Sequence, residues 1–350
     1  MTTRAGKSTM AKTEIGAIGD LPLRGGGVLR GAELAYVTYG DLAADGRNAV
    51  LLTHGYTSSH LFADGEAGAE GDWSPLVGPG RPIDTDALFV VSSNMLGSSF
   101  GSTAPRSLNP ATGRPYGSQF PRLTVADIVA AQRRLLDQLG VKHLVAVIGP
   151  SYGGAQAFTW GVEYPDFMSG LVPVVTGIRF PRRSGGGLRE RFAADASWNG
   201  GDYYATGGVA AMMTAVREET LRSYGIEAQL AGRFPDPAAR AAEITRQARA
   251  WAEVFDANSM LALGDAASTY DVTAELGRIR ARVLYVLSRT DALFPPTLAP
   301  GVMDALKSAG VAAEYVEIDS DLGHLASGAD AAKWAPALRS FMDSLTQKIA

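Results

Sequence analysis

Short unbroken apolar runs punctuate the first half of the chain and return near its end. Val50–Thr53, Leu88–Ser92, Leu144–Ile148 and Leu171–Val175, then Val283–Leu287, are rich in β-branched residues and mostly lack polar alternation, and strand character returns again at Ala313–Ile318. That pattern predicts parallel strands covered on both faces. Leu21–Leu42 alternates short apolar pieces around Gly25-Gly26-Gly27 and predicts an antiparallel hairpin leading into the core. Val125–Leu139 has helical spacing, with Ile128, Val129, Leu135 and Leu136 on one side, and stops at Gly140. A second amphipathic helix, about Ala331–Ile349, closes the chain. Strands alternating with helices define an α/β fold with a mostly parallel sheet, whose sites lie beyond the carboxyl ends of the strands.

One stretch breaks this alternation. Arg179–Asp271 is rich in Ala, Arg, Glu and Met with helical periodicity, interrupted at Gly200-Gly201, Gly207-Gly208 and Pro235–Pro237, and carries no buried-strand run. It reads as a helical insertion over the sheet's carboxyl edge. The resulting division is a flexible tail over 1–14, a core over 15–177 and 276–350, and a helical lid over 178–275.

Composition removes several classes of chemistry. The 350 residues include no cysteine, so disulfides, thiolate metal sites and a cysteine nucleophile are excluded. Formal net charge is −4 without a long basic run, which points to neither nucleic acid nor an anionic membrane. No apolar segment is long enough to span a bilayer, and the N-terminus lacks the apolar stretch of a secretory signal. A cytoplasmic protein is expected. The four histidines, His54, His60, His143 and His324, show no metal-ligand spacing, and neither a metal nor a redox cofactor is expected.

The run Leu144–Ile148 leads into Gly149-Pro150-Ser151-Tyr152-Gly153, a G-x-S-x-G, and then into helix-compatible Ala155–Trp160. Strand, sharp turn and helix form the setting that lifts a serine hydroxyl above a sheet edge as a nucleophile. The motif alone is weak. A second match, Gly97-Ser98-Ser99-Phe100-Gly101, is followed by no helical pattern, so Ser99 reads as a loop residue. Partners distinguish the two. A serine needs a base for its proton, and the base needs an acid to hold its tautomer. In the α/β-hydrolase arrangement these follow in the order Ser, acid, His. Ser151, Asp291 and His324 occur in that order, the last two just after strand runs, and the other histidines precede Ser151. Asp319 and Asp321 sit on the strand exit that carries His324 itself and read as solvated loop acids. The acyl oxyanion needs two backbone N–H donors. Tyr152, after the nucleophile, supplies one; Tyr56, in the turn His54-Gly55-Tyr56 after an early strand, supplies the other. His54 reads as a residue shaping that turn.

Longer motifs carry a resemblance. Trp73–Pro121 (W-S-P-L-V-G-P-G-R-P-I-D-T-D … N-P-A-T-G-R-P-Y-G-S-Q-F-P), Thr124–Trp160, N-G-G-D-Y-Y at Asn199–Tyr204, F-D-A-N-S at Phe255–Ser259 and the S-D-x-G-H ending at His324 resemble the homoserine O-acetyltransferase family of α/β-hydrolase-fold enzymes. The resemblance implies a helical lid over a deep tunnel, a homodimer formed through that lid, and a ping-pong reaction in which Ser151 is acylated and then deacylated. By position, Ser151, Asp291 and His324 match the family's triad, Tyr56 and Tyr152 its oxyanion donors, and Arg189 its lid arginine, able to hold a substrate carboxylate. The chain also departs from the pattern. The elbow is G-P-S-Y-G-G rather than G-G-S-M-G-G, the oxyanion turn is H-G-Y-T-S-S, Val254 replaces an arginine, and Leu325 replaces the acid that follows the histidine. Homoserine is a zwitterion, and burying it calls for both a cation and an anion.

With one of those counter-charges missing, the expected function is a serine carboxylesterase that hydrolyses small, acetyl-type esters. The alternative is an O-acetyltransferase moving acetyl from acetyl-CoA to homoserine or another hydroxyl acceptor. Thioesterase or amidase use of the same serine shares the acyl-enzyme step. A catalytically idle ligand-binding protein of the same fold is the remaining reading.

Overall fold

The computed structural model describes residues 12–65, 72–180 and 187–346. Eight strands form the central sheet: β1 (Glu14–Pro22), β2 (Val28–Tyr39), β3 (Ala49–Thr53), β4 (Phe89–Ser93), β5 (Leu144–Pro150), β6 (Met168–Val174), β7 (Arg282–Ser288) and β8 (Ala313–Ile318). Their spatial order is β1-β2-β4-β3-β5-β6-β7-β8. The β1–β2 and β2–β4 pairs are antiparallel, and every pair from β4 to β8 is parallel.

Runs without polar alternation have two faces to bury, and the sheet buries both. Leu51, Val91, Val147, Tyr285 and Leu287 point into one core; Val50, Leu52, Val90, Ile148, Leu284 and Val286 point into the other. The first core is covered by α1 (Val125–Gln138) and α2 (Tyr152–Glu163), and the second by a terminal helix, Ala335–Thr346, that lays down Leu338, Phe341, Met342 and Leu345. Helix α1 starts in a capping box: Thr124 Oγ1 accepts from the Asp127 N–H, and the Asp127 carboxylate accepts from the Thr124 N–H.

Two boundaries differ from the sequence reading. The tail read over 1–14 is already a strand at Glu14, where β1 pairs with β2; residues 1–11 lie outside the described residues. The closing helix is broken by Trp334 into a short 3₁₀ turn at Ala331–Lys333 and Ala335–Thr346, and residues 347–350 are likewise outside. Pro336, one residue into the second piece, favours such a start.

Between β6 and β7 the described residues form α3 (Leu188–Ala193), α4 (Ala210–Tyr224), α5 (Ile226–Ala231), α6 (Pro237–Ala252) and α7 (Ala257–Ser268). The excursion is pinned at its base by an antiparallel bridge between Arg179 and Asp271, beside the bond from the Val272 N–H to the Ile178 carbonyl. After β7 comes α8 (Ala299–Ser308). No helix among the described residues is long and apolar enough to cross a membrane.

Candidate active site

The site is built at the carboxyl edge of the sheet, where β5 turns into α2. Ser151 stands at that turn with φ 55° and ψ −117°, a backbone conformation that costs energy in any L-residue. Its N–H is tied to the Val174 carbonyl at the end of β6 at 2.8 Å. The turn closes only because its flanks lack side chains. A Cβ on residue 149 or residue 153 would stand 2.2 or 2.1 Å from the Thr53 carbonyl oxygen at the end of β3. Thr53 holds the turn from the other side, donating from Oγ1 to the Gly153 carbonyl at 2.9 Å.

Asp291 and His324 leave the ends of the next strands toward the same edge. The register carries them there: Pro150 lies beside Val174, Val174 beside Val286, and Ser288 beside Ile318. Both are buried, and His324 Nδ1 lies 2.7 Å from Asp291 Oδ2. The other oxygen, Oδ1, accepts from the Leu293 and Phe294 N–H groups at 2.8 and 3.2 Å. A carboxylate so engaged is fixed in orientation, and it fixes the imidazole with Nδ1 protonated and Nε2 as the basic nitrogen. The imidazole ring packs against Tyr224 and Phe294, with ring centroids 4.7 and 5.8 Å away and ring planes at 51° and 30°.

Tyr152 is the first residue of α2, so its N–H has no partner within the helix. Tyr56 lies in the turn after β3. Their rings stack at 5.9 Å and 13°, and both hydroxyls donate into α7, Tyr152 to the Leu263 carbonyl at 3.1 Å and Tyr56 to that of Met260. Burial pushes the Tyr152 phenol well above its ordinary pKa, so it stays a neutral donor. Both tyrosines therefore carry their backbone amides on side chains locked under the helical excursion. His54 is fully buried beneath the turn. Its Nε2 accepts from the Met95 N–H at 3.0 Å, which leaves Nδ1 to donate to the Gly55 carbonyl at 2.8 Å, and burial lowers its pKa to about 4.

Other residues settle into plainer places. Ser99 lies in a loop, its Oγ accepting from the Asp256 N–H at 2.8 Å. Asp319 and Asp321 are exposed and ion-paired to Arg289. His143 is half-buried beside Ser169, and His60 is buried with Nε2 2.8 Å from Thr13 Oγ1. Arg189, read as a substrate-carboxylate ligand, is 52% exposed on α3 and pairs with Asp265 at 2.9 Å. A second arginine lies beside the turn that carries Tyr56. Arg217 of α4 is 3% exposed and donates from Nη1 to Thr57 Oγ1 at 2.7 Å, next to Tyr56, with its guanidinium 5.0 Å over the Trp251 ring. Trp251 in turn donates to the Thr57 carbonyl at 2.9 Å. The sequence reading missed Arg217, although it left a mark: it falls on the apolar stripe of its helix, between Met213 and Leu221 at four-residue spacing. Among the described residues no cluster of acids and histidines could hold a metal ion.

The strained serine turn, the buried imidazole–carboxylate pair and the sheet order define an acyl-transfer enzyme of the alpha/beta hydrolase fold, whose family model matches residues 48–328. Homoserine O-acetyltransferases from Haemophilus influenzae and Moorella thermoacetica are 38% and 36% identical to this chain, over 87% and 94% of it and 90% and 95% of their own lengths. The chain belongs to the homoserine O-acetyltransferase family. Among solved structures, the homoserine O-acetyltransferase of Bacillus anthracis superposes with a TM-score of 0.85 at 26% identity, covering 95% of this chain and 98% of that one. Esterase E22 superposes with a TM-score of 0.86, also at 26% identity, over 95% of this chain and 100% of its own.

These relationships correct the carboxylesterase expected from the sequence. The relatives with the higher identity, over most of the chain, are homoserine acetyltransferases. The esterase expectation leaned on Leu325 in place of an acid. In the structure Leu325 is a buried packing residue, grouped with Leu221 and Tyr224 of α4, so its identity speaks for helix packing rather than for the acyl acceptor.

Proposed function

We propose that the protein transfers an acetyl group from acetyl-CoA to the hydroxyl of homoserine through an acyl-Ser151 intermediate. His324 Nε2 takes the proton of Ser151 as its Oγ attacks the thioester carbonyl, and the developing oxyanion is met by the Tyr56 and Tyr152 N–H groups. The carbon–sulfur bond breaks, and the imidazolium returns its proton to the CoA sulfur. Homoserine's hydroxyl then gives its proton to His324 while attacking the acyl ester; the tetrahedral adduct collapses to O-acetylhomoserine, and Ser151 recovers a proton from His324. Asp291 keeps the imidazole in the required tautomer throughout.

The buried, doubly anchored Asp291–His324 pair beside the serine turn carries this reading. The choice of an alcohol acceptor over water is supported by the family relationship and by Arg217, a buried cation beside the oxyanion turn suited to the acceptor's carboxylate. Arg189, 52% exposed on α3, is the more peripheral candidate for that role. Helices α3 to α7, within the segment 178–275, would act as the lid that keeps water from the acyl-enzyme.

The test follows CoA thiol release from acetyl-CoA with and without homoserine. Release that rises at least tenfold with homoserine, with parallel double-reciprocal lines, is expected. Release that is equally fast without homoserine would overturn the reading.

A further inference from the structure

The C-terminal end of α4 is pressed onto the loop that carries His324. Helix α4 ends in a left-handed cap at Gly225, with φ 98°. A Cβ there would stand 2.8 Å from the Leu322 carbonyl oxygen. Opposite it, Gly323 has φ 59°, and a Cβ on it would stand 3.0 Å from the Tyr224 carbonyl oxygen. Two backbones thus meet with no side chain between them, at a cap and at a turn that each need a positive φ. The residue before the cap, Tyr224, is buried with its ring 4.7 Å from the His324 imidazole. Leu221 and Leu325 extend the same contact as part of one buried cluster.

Asp291 fixes the imidazole only through Nδ1, which leaves the ring free to swing about that bond. Ring contacts limit this freedom: Phe294, from the core, stacks on the imidazole at 30°, and Tyr224, from the helical excursion, packs against it tilted at 51°. We propose that Tyr224 is a positioning residue for the base, delivered by α4, so that the helix supplying Arg217 to the acceptor also holds the imidazole that deprotonates it. Arg217 and Tyr224 are seven residues apart, two turns on one face of α4. Displacement of α4 would then loosen the base and the acceptor site together.

The inference rests on His324 acting as the base, and the experiment separates the two ideas. In the full-length enzyme, Tyr224→Ala and Tyr224→Leu are compared with Tyr224→Phe and with His324→Ala. Leucine keeps apolar bulk in the cluster and so separates loss of the ring from loss of α4 packing. The expected result is a loss of at least fivefold in kcat for Tyr224→Leu and tenfold for Tyr224→Ala, with KM for acetyl-CoA within twofold. Tyr224→Phe, which keeps the ring, should retain at least half of kcat. The downfield proton NMR resonance of the imidazole Nδ1–H should be sharp in the parent and Tyr224→Phe enzymes and broadened in Tyr224→Leu. If Tyr224→Leu keeps full kcat and a sharp resonance while His324→Ala is inactive, the positioning role is refuted and the base assignment stands. If His324→Ala is itself active, both fall.

Discussion

Asp291 and His324, thirty-three residues apart, meet 2.7 Å from each other at the ends of neighbouring strands, and the carboxylate is held in turn by two backbone amides. The pair is buried, so the acid has little freedom to rotate. Asp291→Asn presents an amide to Nδ1 and favours the wrong imidazole tautomer. We expect kcat for CoA release to fall by about 10⁴-fold with little change in KM, as measured by steady-state turnover.

Ser151→Ala removes the proposed nucleophile and should leave the fold alone. No acetyl-enzyme should be detectable by mass spectrometry after mixing with acetyl-CoA, and turnover should drop by at least about 10⁴-fold. A mutant that still gains the mass of an acetyl group at an active-site peptide would move the nucleophile elsewhere.

The serine turn makes a separate demand on stability. The Thr53 carbonyl oxygen lies 2.1 Å from the position of a Cβ on residue 153, and both groups are backbone. Neither can yield cheaply. Gly153→Ala should destabilise the protein by about 4 kcal/mol, read as a lower midpoint in guanidinium unfolding, besides disturbing Ser151.

Arg217 and Arg189 are distinguished by a KM comparison. Arg217→Met should lower kcat/KM for homoserine by about 100-fold, because a buried carboxylate loses its charged donor, and slow acylation by acetyl-CoA far less. Arg189→Ala, breaking a half-exposed pair with Asp265, should change stability by less than about 1 kcal/mol. A larger rise in the homoserine KM from Arg189→Ala than from Arg217→Met would return the carboxylate to the outer helix.

Two buried histidines set the acid side of the stability profile. Burial lowers His54 and His60 from the ordinary 6.5 to about 4. Above pH 6.5 both are neutral in the folded and unfolded states, and their contribution is at its full value. As pH falls from 6.5 toward 4, the unfolded chain binds protons that the folded chain refuses, so stability declines. Each histidine should account for a loss of about 3 kcal/mol across that window. His60→Asn should flatten the decline in unfolding free energy measured between pH 7 and pH 4.

Much of this was legible in the residue order. Unalternated β-branched runs can bury two faces, and those from Val50 to Leu287 became strands of the parallel sheet with alternate residues in opposite cores, while Ala313–Ile318, with two glutamates, became its edge strand. G-x-S-x-G between such a run and a helix pattern marks a turn where only glycines clear a neighbouring strand, a constraint local enough for the chain to record. The order Ser151, Asp291, His324, on which the proposed mechanism rests, could be read because each follows a strand end. Residues answering to packing across the fold were not legible in the same way. Leu325 looked like a lost counter-charge and lies in the cluster under α4. Arg217 lay unnoticed on an apolar stripe, because a contact it makes there, with Thr57, is 160 residues away along the chain.

By itself, then, the sequence determined the α/β alternation, the serine turn and the order of the groups that follow it, since these depend on spacing and on residue size along the chain. Only the tertiary structure decided which arginine stands at the turn of Tyr56, which rings pack against the imidazole, and how α4 meets the loop of His324. Those contacts join segments whose separation along the chain carries no trace of their meeting; they exist because the sheet brings its carboxyl ends together and the helices between β6 and β7 fold back over them.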